Sequence, residues 1–132
     1  MYAGANTLLR KFASCSKYVK LLLVESYCCN FYCGSLWTSY TIAALHKLKV
    51  AYNNVFRKVL GHRSRDSASM MFVTNGIDNF ESRMRKSCYG FRKRLLDSDN
   101  NVLISMNGHS WLANNYMFGR WHSMLSHTST TV

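Results

Sequence analysis

Apolar residues recur along this chain at steps of three and four positions, which is the spacing of one face of an α-helix. The clearest series lies between Thr41, a residue type that caps helix starts, and Gly61, a residue type that ends helices. We therefore predict a long helix between them, with most of its basic residues off the apolar face. The apolar positions are Ile42, Leu45, Leu48, Tyr52, Val55, Phe56 and Val59.

A second long helix is predicted from Asp78 to about residue 96. Asp78 and Glu81 have the spacing of a capping box, in which two side chains satisfy the first free N–H groups of a helix. Shorter patterns predict further helices. One of them follows a capping serine at Ser14 or Ser16, and another follows Ser67. These cover residues 5–13, 17–36, 68–73 and 101–106. We expect a shared core formed by Leu45, Tyr52, Phe56, Phe80, Met84 and Phe91.

Composition favours an all-α fold. The 132 residues contain no proline, the residue that breaks helix interiors, and 48% of them are apolar, which argues against disorder. This length suits one domain. We predict a single helical domain of four main helices and several short ones over residues 1–125, followed by a frayed tail at 126–132.

The chain is strongly basic. Its 17 Lys and Arg residues oppose six Asp and Glu residues, for a net charge of +11, which suits nucleic acid first and an anionic membrane second. Six cations lie between Arg83 and Arg94 with no acid among them, and four more lie near the end of the helix at 41–60. Cations this dense repel one another, and a polyanion relieves that repulsion. The candidate phosphate-binding residues are Arg57, Lys58, Arg63, Arg65, Arg83, Arg85, Lys86, Arg92, Lys93 and Arg94.

Signals for catalysis are weak. A polymerase or nuclease with two metal ions needs clustered carboxylates, and only Asp97 and Asp99 lie close together, in a stretch typical of a helix end and a cap. No glycine-rich phosphate loop is present, and none of the five histidines has a partner at a recognised spacing. The Ser14–Lys17 stretch is better explained by helix capping than by an acylating serine. We expect no cofactor.

The cysteines and the N-terminus suggest an intracellular protein. Five cysteines without a secretory signal indicate reduced thiols, and the Cys28-Cys29-x3-Cys33 spacing is not that of a zinc site. The most apolar stretch, 21–37, falls short of the roughly 20 apolar residues of a membrane span. We expect a soluble protein of the cytoplasm or nucleus with no transmembrane helix and no stable membrane insertion.

Several short blocks occur in a recognisable order. The two most specific are Ala51-Tyr52-Asn53-Asn54 and Ser67-Ala68-Ser69-x-Met71-Phe72-Val73, and Leu60-Gly61 lies between them. Together with blocks around Arg10-Lys11-Phe12 and Arg85-Lys86, they cover residues 4–96. This region resembles the part downstream of the palm in reverse transcriptases of non-LTR (LINE-type) retrotransposons, of the Jockey and Rex-like kind.

The resemblance implies a thumb-like helical bundle that contacts the backbone of a primer–template, either RNA–DNA hybrid or duplex. Such contacts position the nucleic acid but do not read its sequence. The departures from the family are also informative: no Asp-Asp pair occurs, His62-Arg63 stands where the family often has a proline, and no terminal zinc knuckle follows. The resemblance thus implies a truncated or degenerate element copy that lacks fingers and palm and is not an enzyme.

Two other interpretations stay open, and no protein partner is identified. A basic helix such as 78–96 can lie on anionic lipid or bind calmodulin, which would make the chain a protein- or membrane-interaction module. The chain can also be a transposon relic without a selected function. Aromatic residues such as Tyr89 and Trp111 can stack on bases, although packing in the core is the better explanation for most aromatics.

Overall fold

The computed structural model describes residues 1–29, 31 and 40–107, together with positions 119 and 123. Over these residues it contains α-helices and no β-strand, which confirms the all-α prediction. The predicted tail at 126–132 and Trp111 lie outside the described residues. The helices are α1 (Tyr2–Lys11), α2 (Lys17–Tyr27), α3 (Ile42–Leu60), α4 (Ala68–Asn75), α5 (Phe80–Leu96) and α6 (Asn101–Asn107).

The start of α2 agrees with the sequence prediction, but its end does not. Ser16 caps the helix, because its hydroxyl accepts a hydrogen bond from the Val19 N–H at 3.4 Å. The helix then ends at Tyr27 instead of near residue 36. The N–H groups of Cys28 and Cys29 both donate to the carbonyl of Val24, at 2.9 and 3.1 Å, which closes the last turn. Apolar periodicity does not detect an end made by backbone hydrogen bonds alone.

The predicted boundaries of α3 are confirmed. The Thr41 hydroxyl accepts a hydrogen bond from the Ala44 N–H at 3.2 Å, and Gly61 follows the helix with φ of 75°. A side chain at that φ is strained, which is why glycine suits the position. A glycine in the same left-handed conformation also ends α4, where Gly76 has φ of 63°.

The helices α4, α5 and α6 also begin at or near their predicted positions. Ser67 caps α4, since its hydroxyl accepts a hydrogen bond from the Met70 N–H at 3.4 Å. The helix α5 begins at Phe80, two residues later than predicted from Asp78. The short α6 is also confirmed, and the Asn100 side chain accepts a hydrogen bond from the Val102 N–H at 2.9 Å.

The chain divides into two compact units. The first unit holds α1 to α4 and ends at Phe80, and the second holds α5 from Glu81 onward together with α6. The single domain over residues 1–125 stays a prediction.

In the first unit, α1, α2 and α3 each contact the other two, and α4 contacts α3, which makes a small helical bundle. Its centre is an aromatic cluster around Tyr52, whose ring centroid lies 4.7 Å from that of Phe56 and 5.7 Å from that of Phe72. Phe80 and Phe31 also contact Tyr52, at 5.9 Å each. Aromatic burial on this scale dominates the energetics of a small core.

Polar contacts also join α1 to α3. The amine of Lys58 donates to the amide oxygen of Asn6 at 2.6 Å, and the Asn54 amide donates to the Tyr2 hydroxyl at 3.2 Å. Gly4 on α1 permits close packing nearby, since a Cβ at this position would lie 3.3 Å from the Cys28 sulfur.

Burial only partly follows the predicted core. Tyr52, Phe56, Phe80 and Met84 are buried, as expected. Leu45 is half-buried, and it lies near the start of α3, about two helical turns before Tyr52. Phe91 is also half-buried, so the prediction that it is a core residue is wrong: it is less buried than a core residue. The apolar stripe that predicted it marks a face of α5, and a stripe does not specify how deeply each member is covered.

The hydroxyl of Tyr52 donates to the backbone carbonyl of Asp78 at 2.7 Å and so ties α3 to the segment before α5. Tyr52→Phe keeps the buried ring and removes this donor. We expect the free energy of unfolding to fall by about 1 kcal/mol, measured by chemical denaturation. Tyr18→Phe is the control, because Tyr18 is 69% exposed and its hydroxyl makes no comparable contribution. Equal stability of the two variants would mean that the Tyr52 hydrogen bond contributes nothing.

Candidate nucleic-acid interface

The ten cations predicted to bind phosphates divide between the two units. We call those of the first unit the loop group, and those of the second unit the helix group, because all of the latter lie on α5. The loop group comprises Arg57, Lys58, Arg63 and Arg65. The helix group comprises Arg83, Arg85, Lys86, Arg92, Lys93 and Arg94.

Arg57 of the loop group serves the fold. Its guanidinium is half-buried and donates to the side-chain oxygen of Asn54 and to the backbone carbonyl of Asp66, both at 3.0 Å. Its Nε is buried and has no hydrogen-bond partner among the described residues. Arg57 therefore holds the 62–66 loop against the end of α3. A count of cations along the sequence does not distinguish this internal role from a phosphate contact.

The side chain of Asp66 makes the contacts that stabilise the loop after α3. The Asp66 carboxylate accepts a hydrogen bond from the Arg63 backbone N–H at 2.8 Å, and His62 Nδ1 lies 3.3 Å from the same oxygen. Lys58, although exposed, is engaged with Asn6 on α1. Arg63 and Arg65 have exposed side chains and are the members of the loop group best placed to contact a ligand.

Most of the helix group is exposed to solvent. Lys86, Arg92, Lys93 and Arg94 are exposed, whereas Arg83 and Arg85 are half-buried. The Nε of Arg85 is buried without a hydrogen-bond partner among the described residues. On the other face of α5, Met84 is 5% exposed and Cys88 is 1% exposed. The helix thus separates a buried apolar face from a cationic face, and from Ser82 to Leu96 its sequence contains no acid.

Tyr89 lies in the middle of the cationic face and is 62% exposed. Tyr89 is therefore one of the aromatic residues that do not pack in the core. Residues three and four positions apart are nearest neighbours on a helix surface. All four such positions around Tyr89 hold cations. Counting the cations of the chain does not reveal this arrangement. They are Arg85, Lys86, Arg92 and Lys93.

The thiols of Cys28 and Cys88 do not have the features of activated nucleophiles. Burial raises the pKa of the Cys88 thiol. Burial also raises the pKa of the Cys28 thiol, and the positive N-terminus opposes that shift without cancelling it. A raised pKa leaves less of the reactive thiolate at neutral pH. No group of three or more His, Cys, Asp or Glu residues that could hold a metal ion occurs within the described part of the chain.

Comparisons with known proteins add no identification: no family model, no curated protein and no solved structure matches this chain. The resemblance to reverse transcriptases over residues 4–96 accordingly stays a prediction. None of the helices in the described ranges is both long and apolar enough to cross a membrane.

Proposed function

We propose that this chain binds nucleic acid through the phosphate backbone, without sequence preference, and that the cationic face of α5 is the main contact surface. The observation that carries the proposal is the exposure of Lys86, Arg92 and Lys93 on a helix whose opposite face is buried. Phosphate contacts made by Lys and Arg supply most of the affinity in binding of this kind. Arg63 and Arg65, in the first unit, are a smaller set of candidate contacts.

A structural explanation accounts for some of these cations but not for all. Lys93 and Arg94 lie in the last turn of α5, where positive charge is favourable beside the free carbonyl groups of the helix end. Arg85, Lys86 and Arg92 are outside that last turn, so the helix end does not explain their positive charge, and the sequence of α5 contains no acid after Glu81. A bound polyanion would relieve the repulsion among them.

We propose further that the chain corresponds to the thumb-like region of a LINE-type reverse transcriptase. The order of its sequence blocks and its all-α bundle support this assignment. In that setting the ligand is an RNA–DNA hybrid or a duplex in the cytoplasm or nucleus. The chain by itself is then not a polymerase, since its sequence contains no Asp-Asp pair for the catalytic metals.

One feature of α5 weighs against a lipid-binding role. An amphipathic helix that lies on a membrane inserts its apolar face, and on α5 that face includes Met84 and Cys88, which are already buried. Anionic vesicles use the same cations, so they are the informative alternative ligand. Binding to vesicles but not to duplex would favour the interaction-module interpretation instead, and binding to neither would leave the relic interpretation.

The proposal is tested with two matched triple variants. Arg92→Gln, Lys93→Gln and Arg94→Gln together remove three exposed cations of α5, and glutamine preserves helix propensity. Lys11→Gln, Lys17→Gln and Lys47→Gln remove three exposed cations elsewhere. The wild type should bind two duplexes of unrelated sequence equally well in fluorescence anisotropy. The α5 variant should lose much more affinity than the control variant. Equal losses would show that only net charge matters.

A further inference from the structure

Four cations surround one exposed tyrosine on α5, and this arrangement goes beyond what a phosphate-binding face requires. Resting on the proposed function, we propose that Tyr89 is a stacking platform for an unpaired base and that this face of α5 is a binding site for single-stranded nucleic acid. The cations around Tyr89 then contact the phosphates on either side of the stacked base.

Tyr89 lies between two pairs of cations along α5. Arg85 and Lys86 precede it by one helical turn, and Arg92 and Lys93 follow it by one turn. The two pairs are separated along the helix axis by about 10 Å, at a rise of about 1.5 Å per residue. Tyr89 lies midway between them. A strand that runs along the helix therefore meets cations, then an aromatic ring, then cations.

The side chain of Tyr89 is also open to solvent. Tyr89 is 62% exposed, so its ring is accessible. Exposed aromatics are ordinary when they occur singly, and Tyr18 and Tyr27 are 69% and 74% exposed. The difference lies in the surroundings. The positions three and four residues from Tyr18 hold Ser14, Cys15, Leu21 and Leu22, and none of these is charged.

The chemistry of this face suits a single strand better than a duplex. Every base has a π face that can stack on an aromatic ring, and stacking of this kind tolerates any sequence. In a duplex those faces are already stacked on neighbouring base pairs, so only phosphates are offered along its length. Single strands offer both groups. Cations alone would bind duplex and single strand by the same contacts, whereas Tyr89 adds a contact that only an unpaired base can make.

The test compares a single-stranded oligo(dT) with a blunt-ended duplex of the same length, at one salt concentration, by fluorescence anisotropy. Tyr89→Ala should weaken oligo(dT) binding roughly tenfold and leave duplex binding unchanged. Tyr89→Phe keeps the ring and should bind oligo(dT) like the wild type. Tyr18→Ala is the matched control, because it removes a similarly exposed ring that has no cation three or four residues away, and it should change neither affinity. Circular dichroism should show the same helix content in all four proteins.

Salt dependence gives an independent readout. Stacking releases no counterions, so the slope of log affinity against log salt should be the same for Tyr89→Ala and for the wild type. An equal loss on both ligands, or no loss on oligo(dT), would overturn the stacking proposal while leaving backbone binding intact. Failure of the wild type to bind either ligand would overturn the proposed function and the stacking proposal together.

Discussion

Phe56→Ala should lower the free energy of unfolding by about 3–5 kcal/mol, the range typical of a phenylalanine removed from a packed core. The side chain is fully buried, and its ring centroid lies 4.7 Å from that of Tyr52 and 5.5 Å from that of Phe72. Removing the ring leaves a cavity between α3 and α4 that these rigid neighbours cannot easily fill. Because small domains have total stabilities of about 5–15 kcal/mol, this single change can abolish folding.

Chemical denaturation followed by circular dichroism measures the effect. Phe12→Ala is the matched control, since Phe12 is 36% exposed at the end of α1 and its loss creates no enclosed cavity. Phe91→Ala should give an intermediate value, because Phe91 is half-buried. The sequence pattern alone placed Phe56 and Phe91 in the same core, and so it does not distinguish their costs. If Phe56→Ala unfolds at the same denaturant concentration as Phe12→Ala, the aromatic cluster is not the core of the first unit.

Affinity for duplex should fall steeply with salt, and this is the largest effect we expect on binding. If α5 neutralises about five phosphates, log affinity against log salt should have a slope of about −4 to −5 on B-DNA. The physical cause is that condensed counterions leave the duplex when cations of the protein neutralise its phosphates. The number of counterions released grows with the number of phosphates neutralised. Anisotropy titrations over a range of salt concentrations measure the slope.

The change in this slope in the α5 triple variant measures how many phosphate contacts have been lost. If Arg92, Lys93 and Arg94 all contact phosphates, the slope should become shallower by about 3 units. The control triple variant at Lys11, Lys17 and Lys47 should change the slope much less. A slope near zero in the wild type would exclude backbone binding. An unchanged slope in the α5 variant would show that the end of α5 is not part of the contact surface.

Several features of this fold can be deduced from sequence because their causes are local. Thr41, Ser67, Gly61 and Gly76 each act on the backbone within one helical turn, so their types indicate where helices begin and end. The absence of proline and the three-to-four spacing of apolar residues likewise predicted an all-α chain. The net charge, and the acid-free stretch of α5, were also evident without any structure.

Other features depend on which residues meet after folding. The early end of α2 at Tyr27 was missed because the apolar series continues past it. Arg57 and Arg92 look alike in the sequence, yet Arg57 holds a loop through Asn54 and Asp66 whereas Arg92 is exposed. The carbonyl that Arg57 contacts lies nine residues away, and only the turn at Gly61 brings it near.

The sequence by itself therefore determined the helices, most of their capped ends and the excess of positive charge, since each arises from residues close together in the chain. Only the tertiary structure decided which aromatic residues are covered and which cations are available. Burial depends on neighbours far away in sequence: Tyr52 is enclosed by residues of other segments, whereas Tyr89, an equally aromatic residue on a helix, stays 62% exposed among four cations. That distinction separates a core residue from a candidate binding residue.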